Sequence, residues 1–204
     1  DSHTHFLATG QVASELQLQE LKSADDIKNI KILPKHFRGD WIVGFGWDEN
    51  KWSDKSKPNK LILDEIFPNT PVFFSRVDGH SSWINTKAIQ VLTDLGFDFN
   101  KKYTGGFVER NSSGQLTGVL VDQAHIDALF RLPQYSGSQI KLFIQTAQSI
   151  FHKAGFTHVR DMSMNENLWN ALVQMSEGND LKLCLDSFVT AENVNDLDRV
   201  VQEV

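Results

Sequence analysis

His3 and His5, two residues apart in Asp1-Ser2-His3-Thr4-His5, are the residues best placed to do chemistry. Side chains at i and i+2 of a β-strand share a face, so both imidazoles can be offered to one metal ion without bending the backbone. Neutral imidazole suits zinc and similar transition metals. Two nitrogens do not complete a catalytic centre, which takes three or more protein ligands and leaves a place for water. Other ligands must come from elsewhere. Asp1 falls on the same face and can orient an imidazole through its second nitrogen. A chance pair of histidines is the competing reading of so short a pattern.

The other histidines are of unequal quality. His80 ends a strand in Arg76-Val77-Asp78-Gly79-His80, where the glycine lets the backbone turn and the imidazole face a strand-end cleft. A loop histidine capping a carbonyl is the alternative. His36, His125 and His152 lie in or beside polar helical stretches and read as surface residues, while His158, inside a strand, can face either side. Asp161 closes that strand as a carboxylate behind a ligand or as an N-cap for the segment that follows. Of five tryptophans, Trp41 and Trp169 fall on core periodicities, and Trp47, Trp52 and Trp83 lie near loops where a substrate can meet them. Gly44/Gly46 and Gly105/Gly106 lack the spacing of a dinucleotide or phosphate loop.

Composition excludes several classes. The chain has 204 residues, 40% hydrophobic and 23% charged, enough for one substantial globular core. Its net charge of -6 is interspersed, which leaves no footprint for nucleic acid or an anionic membrane. No apolar run approaches the roughly 18 residues of a membrane helix. The single cysteine, Cys184, reads as a packed strand residue. The compartment is not fixed, the cytoplasm being favoured.

Positioning these side chains requires alternating strands and helices. Leu16 to Gln19 and the continuous apolar run Trp41 to Trp47 read as strands, with a helix start at Ser23 between them. Asp48 to Lys60 is polar, lysine-rich loop. Pro71 to Val77 is a further strand and Thr86 to Leu95 a helix closed by Gly96. Gly105 to Val121 reads as a β-hairpin inserted outside the main sheet. Helices over Gln123–Phe130 and Ser138–Ala154 follow, then strand Phe156–Arg160, helix Asn165–Ser176, strand Leu181–Phe188 and a helix from Asn195 to Val204. Such alternation predicts α/β architecture in one domain over 1–204, with right-handed crossovers into an open sheet or a β/α barrel. Beginning inside a strand, the chain is expected to belong to a longer protein.

Several blocks occur together: Asp1 to His5, Gly44-Phe45-Gly46-Trp47-Asp48, Arg76 to His80 with Trp83-Ile84-Asn85, Gly105 to Arg110, Gly114 to Gly118 leading into Val119-Leu120, and Gly155-Phe156-Thr157 with Asp161. In this order they resemble amidohydrolase family 3 of the amidohydrolase superfamily, the group containing N-substituted formamide deformylase-like enzymes.

The resemblance implies a metal-dependent β/α barrel, of which this chain is the N-terminal half: a partial TIM barrel with the hairpin inserted. His3 and His5 match first-strand ligands of a divalent metal, zinc foremost, with one or two ions in the intact enzyme. His80 matches a histidine at the substrate or behind the ligands, with Asp78, Trp83, Asp1, Asp122 and Asp161 as further candidates of that kind. Asp122 stands where the family has Glu, one methylene longer. The family's lysine open to carboxylation, two later histidines and its aspartate base fall after Val204, so no catalytic base is assigned here. The implied reaction is hydrolysis of a non-peptide amide C–N bond by a metal-activated water. This chain alone is expected to hold metal weakly, to turn over little or nothing, and to associate with further copies of itself through its open edges. The implied partner is a small amide-type substrate. The competing function is a non-catalytic ligand-binding module built on Trp47, Trp52 and Trp83.

Overall fold

A computed structural model describes residues 1–164 and 166–189. In chain order the elements are α1 (Phe6–Ser14), β1 (Leu16–Gln17), β2 (Phe37–Arg38), β3 (Trp41–Trp47), α2 (Lys60–Ile66), β4 (Val72–Arg76), β5 (Ser81–Ile84), α3 (Thr86–Asp94), β6 (Gly106–Arg110), β7 (Leu116–Asp122), α4 (Gln123–Leu129), α5 (Gly137–Lys153), β8 (His158–Met164), α6 (Glu166–Glu177) and β9 (Cys184–Val189). The fold is mixed α/β. The elements divide into two compact units: Glu15–Tyr135, and Asp1–Ser14 together with the residues from Ser136 onward. The expected helix over 195–204 and the expected N-terminal residue of the 165–176 helix lie outside the described residues.

The unit over Glu15–Tyr135 is built on a sheet of order β1-β3-β4-β5-β7-β6, with β2 antiparallel on β3. Pairing is parallel from β1 through β4 and antiparallel from β4 to β6. Apolar side chains alternate across the sheet into two cores. Trp41, Val43, Phe73, Ile84 and Leu120 enter one, while Ile42, Val72, Phe74, Trp83 and Leu63 enter the other. That division explains the unbroken apolar run of β3, which is covered on both faces. Gly46 interrupts it at φ +105°, where the register with β4 shifts between Phe45 and Trp47. The bulge turns Trp47 into the core of Ile42 and Trp83.

Sheet pairing corrects the reading of the hairpin. β7 pairs antiparallel with β5 through Ser81–Val121, Ser82–Leu120 and Trp83–Val119, so β6 and β7 form one end of the sheet. A hairpin identifies its own turn locally, but its outer partner is set by burial of Val119 and Leu120 against residues far away in sequence.

In the other unit, β8 and β9 pair in parallel, and residues 1–5 run parallel to β8 on its other side. Helix α5 begins one residue before the expected helix because its N-cap is Ser136, in a reciprocal capping box with Gln139. Its buried face of Ile140, Phe143, Ile144 and Ala147 receives α1. Gly10 permits the approach: a Cβ there would lie 1.8 Å from the Phe143 carbonyl oxygen. No described helix is long and apolar enough to cross a membrane.

Candidate metal centre

Residues 1–5 are held to β8 by a parallel ladder. The Arg160 N–H donates to the Asp1 carbonyl (3.0 Å), the Thr4 N–H to the Arg160 carbonyl (2.7 Å), and the Met162 N–H to the Thr4 carbonyl (3.0 Å). Thr4 is buried and its hydroxyl also donates to the Arg160 carbonyl. Where the sequence predicts an opening strand, Thr4 alone forms a bridge, to Asp161, and His3 lies in a bend; His3 and His5 are both exposed, with ring centres 5.7 Å apart and planes at 83°. Two imidazoles sharing one ion at about 2 Å per nitrogen have ring centres roughly 5 Å apart at a tetrahedral angle. The separation of the two rings is compatible with two ligand positions on one divalent ion.

Around the pair, Asp1 Oδ1 accepts the backbone N–H of His3 at 3.0 Å, a backbone contact in place of the expected imidazole contact. Asp161 is fully buried. Its Oδ1 accepts the Phe6 N–H at 2.7 Å and its Oδ2 the Ser163 N–H at 3.1 Å, so it caps the first turn of α1 across 155 residues. Ser163, which sequence reasoning missed, places Oγ 3.2 Å from His5 Nδ1. No local signal offered it: Asp161 pairs with Thr4, so alternation alone would set residue 163 on the face of Thr4, away from the imidazoles. Among the described residues, no group of three or more His, Cys, Asp or Glu is drawn together as a metal-holding set.

The second group of candidates lies within the unit over Glu15–Tyr135. His80 Nδ1 is 3.0 Å from Asp122 Oδ1, and the Asp122 N–H donates to the His80 carbonyl at 2.7 Å. The shorter aspartate thus reaches the imidazole, from a backbone at φ +48°, ψ -116°, a region costly for a side-chain-bearing residue. Asp78 Oδ1 accepts the His80 N–H at 3.0 Å and Oδ2 meets Arg76. Partial burial opposes ionisation of Asp78, yet the His80 N–H and the Arg76 guanidinium together outweigh it and hold the carboxyl below its usual range. Arg76 in turn bonds Glu49 at 2.9 Å.

Several expected surfaces are interior. Trp47, Trp52 and Trp83 are fully buried and packed on one another at 5.8–6.4 Å between ring centres, so they form core and no ligand platform. Trp52 leaves a polar loop yet turns inward through a 3-10 turn capped by Asp48. Trp169, by contrast, is half exposed. His36 is buried and its Nδ1 accepts the Leu33 N–H, which makes it a turn-stabilising residue. His125 is buried against Phe73, and burial, reinforced by the His80 charge, pushes its imidazole down to about 4. Cys184 is exposed on β9. His158 is exposed beside Asp186 at 3.0 Å.

The Bacillus subtilis (strain 168) protein YtcJ is 30% identical over 171 residues, covering 80% of this chain and 31% of its own. The N-substituted formamide deformylase of Arthrobacter pascens is 26% identical over 130 residues, covering 61% and 23%. An uncharacterized metal-dependent hydrolase of Pyrococcus horikoshii OT3 superposes with a TM-score of 0.71 at 23% identity over 98% of this chain and 38% of that one, a likeness of fold. The chain spans about a third or less of the curated relatives' length. The model of the amidohydrolase family matches residues 1–202, nearly the whole sequence, and the chain belongs to that family.

Proposed function

We propose that the chain contributes the first-strand ligands to a metal-dependent hydrolase that cleaves non-peptide amide C–N bonds. The observation that carries this reading is the convergence of His3 and His5 on one exposed face, fixed by the buried Thr4 between them. Support comes from family membership and from a relative named as a formamide deformylase. The parallel order of residues 1–5, β8 and β9, with α5 and α6 between them, is consistent with the beginning of a β/α barrel.

In this reading His3 and His5 hold a divalent ion, zinc by the preference of imidazole, and the remaining ligands and the base come from outside the described residues. An ion held there would supply Lewis acidity and lower the pKa of water toward neutrality. His5 is oriented by Ser163, and His80, positioned by Asp122 and Asp78, is available to a small amide substrate. The isolated chain is expected to bind metal weakly and to be inactive, and, since β9 pairs only with β8 among the described residues, to associate with further copies.

The test is made on the full-length protein. Wild type should carry one or two divalent ions and hydrolyse a panel of N-substituted formamides and other small amides. His3→Ala/His5→Ala should lose metal by elemental analysis and lower turnover by more than the roughly 100-fold that removal of an outer partner causes. Unchanged metal content and turnover in the double variant would refute the assignment.

A further inference from the structure

One side chain of β8, Ser163, meets His5, and a second, Asp161, holds the backbone on either side of that contact. Asp161, buried, bridges two backbone donors. By accepting the Phe6 N–H it fixes the point where the extended opening segment turns into α1, and with it the backbone of His5. By accepting the Ser163 N–H it fixes the residue whose hydroxyl lies 3.2 Å from His5 Nδ1. One carboxylate therefore sets both ends of the His5–Ser163 contact.

The contact has a consequence for the imidazole. A neutral histidine carries one ring proton, and a nitrogen can ligate a metal only when it does not carry it. An acceptor beside Nδ1 keeps the proton there and frees Nε2. A hydroxyl can accept from Nδ1–H or donate to a bare Nδ1, and accepting is the direction taken by the outer partners that select the tautomer and orientation of ligating histidines. Free imidazole side chains favour the opposite form, with the proton on Nε2.

We propose that Ser163, placed by Asp161, is a positioning residue that holds His5 as its Nδ1–H tautomer and presents Nε2 as the ligating atom. This rests on the reading of His3 and His5 as metal ligands, but the tautomer belongs to the metal-free protein and is measured separately.

Long-range proton–nitrogen spectra of the metal-free, full-length protein carrying nitrogen-15 in histidine give the tautomer, with His5 assigned by His5→Gln. Wild type should show Nδ1–H, and Ser163→Ala should move His5 toward Nε2–H. In a competition titration with zinc, Ser163→Ala should weaken binding by about 10- to 100-fold. Ser163→Thr, which keeps the hydroxyl, should restore both readouts. Nε2–H in wild type, or unchanged zinc affinity in Ser163→Ala, would overturn the proposal. If wild type bound no zinc, the reading of the histidine pair would fail, while the metal-free spectra would still decide for or against Ser163.

Discussion

Asp161 Oδ1 accepts the backbone N–H of Phe6 at 2.7 Å, joining the middle of β8 to the first turn of a helix that begins 155 residues earlier. The same carboxylate also takes the Ser163 N–H, so two backbone donors depend on one buried side chain. Replacing Asp161 by Ala leaves both without a partner. At about 1–3 kcal/mol for each donor left unpaired, the expected loss is about 2–6 kcal/mol, read from urea unfolding. A loss below 0.5 kcal/mol would show that solvent takes over these groups.

A second buried node is Asn85, in the block Trp83-Ile84-Asn85. Its Oδ1 accepts the N–H groups of Ala88 (2.9 Å) and Val72 (3.1 Å), and its Nδ2 donates to the carbonyls of Phe67 (2.8 Å) and Thr70 (2.9 Å). It caps α3 and ties the loop between α2 and β4 to the start of β4. Asn85→Asp keeps the cap acceptor but turns an ionised oxygen toward two carbonyls, so it should cost about as much as Asn85→Ala, on the order of 3 kcal/mol by chemical denaturation. An aspartate variant as stable as wild type would contradict the role of Nδ2.

Gly10 and Gly137 make a paired test. A Cβ at Gly10 would overlap the Phe143 carbonyl, whereas nothing lies within 4 Å of one at Gly137, in the first turn of α5. Gly137→Ala should be neutral or raise stability by up to about 1 kcal/mol. Gly10→Ala should separate α1 from α5 and lower the melting temperature by several degrees. Equal effects at the two sites would deny the close helix approach.

How far these relationships could be read from sequence depends on their range. Strand alternation alone places His3 and His5 on one face, the run from Trp41 to Trp47 declares a strand covered on both sides, and the period from Ile140 to Ala147 declares α5. Helix α1 was hidden because its cap, Asp161, comes from the far end of the chain. Trp52 stands in a lysine-rich loop, and no local pattern signals that a turn at Glu49–Lys51 carries it into the core. On the short helix α4, His125 shares its buried side with Ala124 and Ala128, small residues that give little periodic signal. Ser163 gains its role only from an imidazole brought beside it by the fold.

His125 also gives the fold a pH dependence. Burial holds its imidazole at about 4 in the folded protein, against an ordinary value of 6.5. Between those values the unfolded chain binds the proton and the folded one does not, so acidification favours unfolding. The contribution is present above about pH 6.5 and is lost as pH falls toward 4, by about 3 kcal/mol over the window. His125→Gln, which takes up no proton, should flatten the slope of unfolding free energy across that window. An unaltered slope would assign it to other groups.

Asp122 sets stability against positioning. Its backbone at φ +48°, ψ -116° costs on the order of 1–3 kcal/mol for a residue bearing a Cβ, and glycine adopts such conformations without that cost. Its side chain nevertheless holds His80 Nδ1 at 3.0 Å. Asp122→Gly should therefore leave stability unchanged or raise it by about 1 kcal/mol, part of the relief being offset by the added freedom of the unfolded chain. If His80 meets substrate, the same variant should raise KM, because the imidazole loses the partner that fixes its orientation. Asp122→Ala separates the two effects: it removes the carboxylate and keeps the strain, so it should match glycine in KM and fall below it in stability. A glycine variant less stable than alanine would mean that the strained backbone is not what Asp122 contributes.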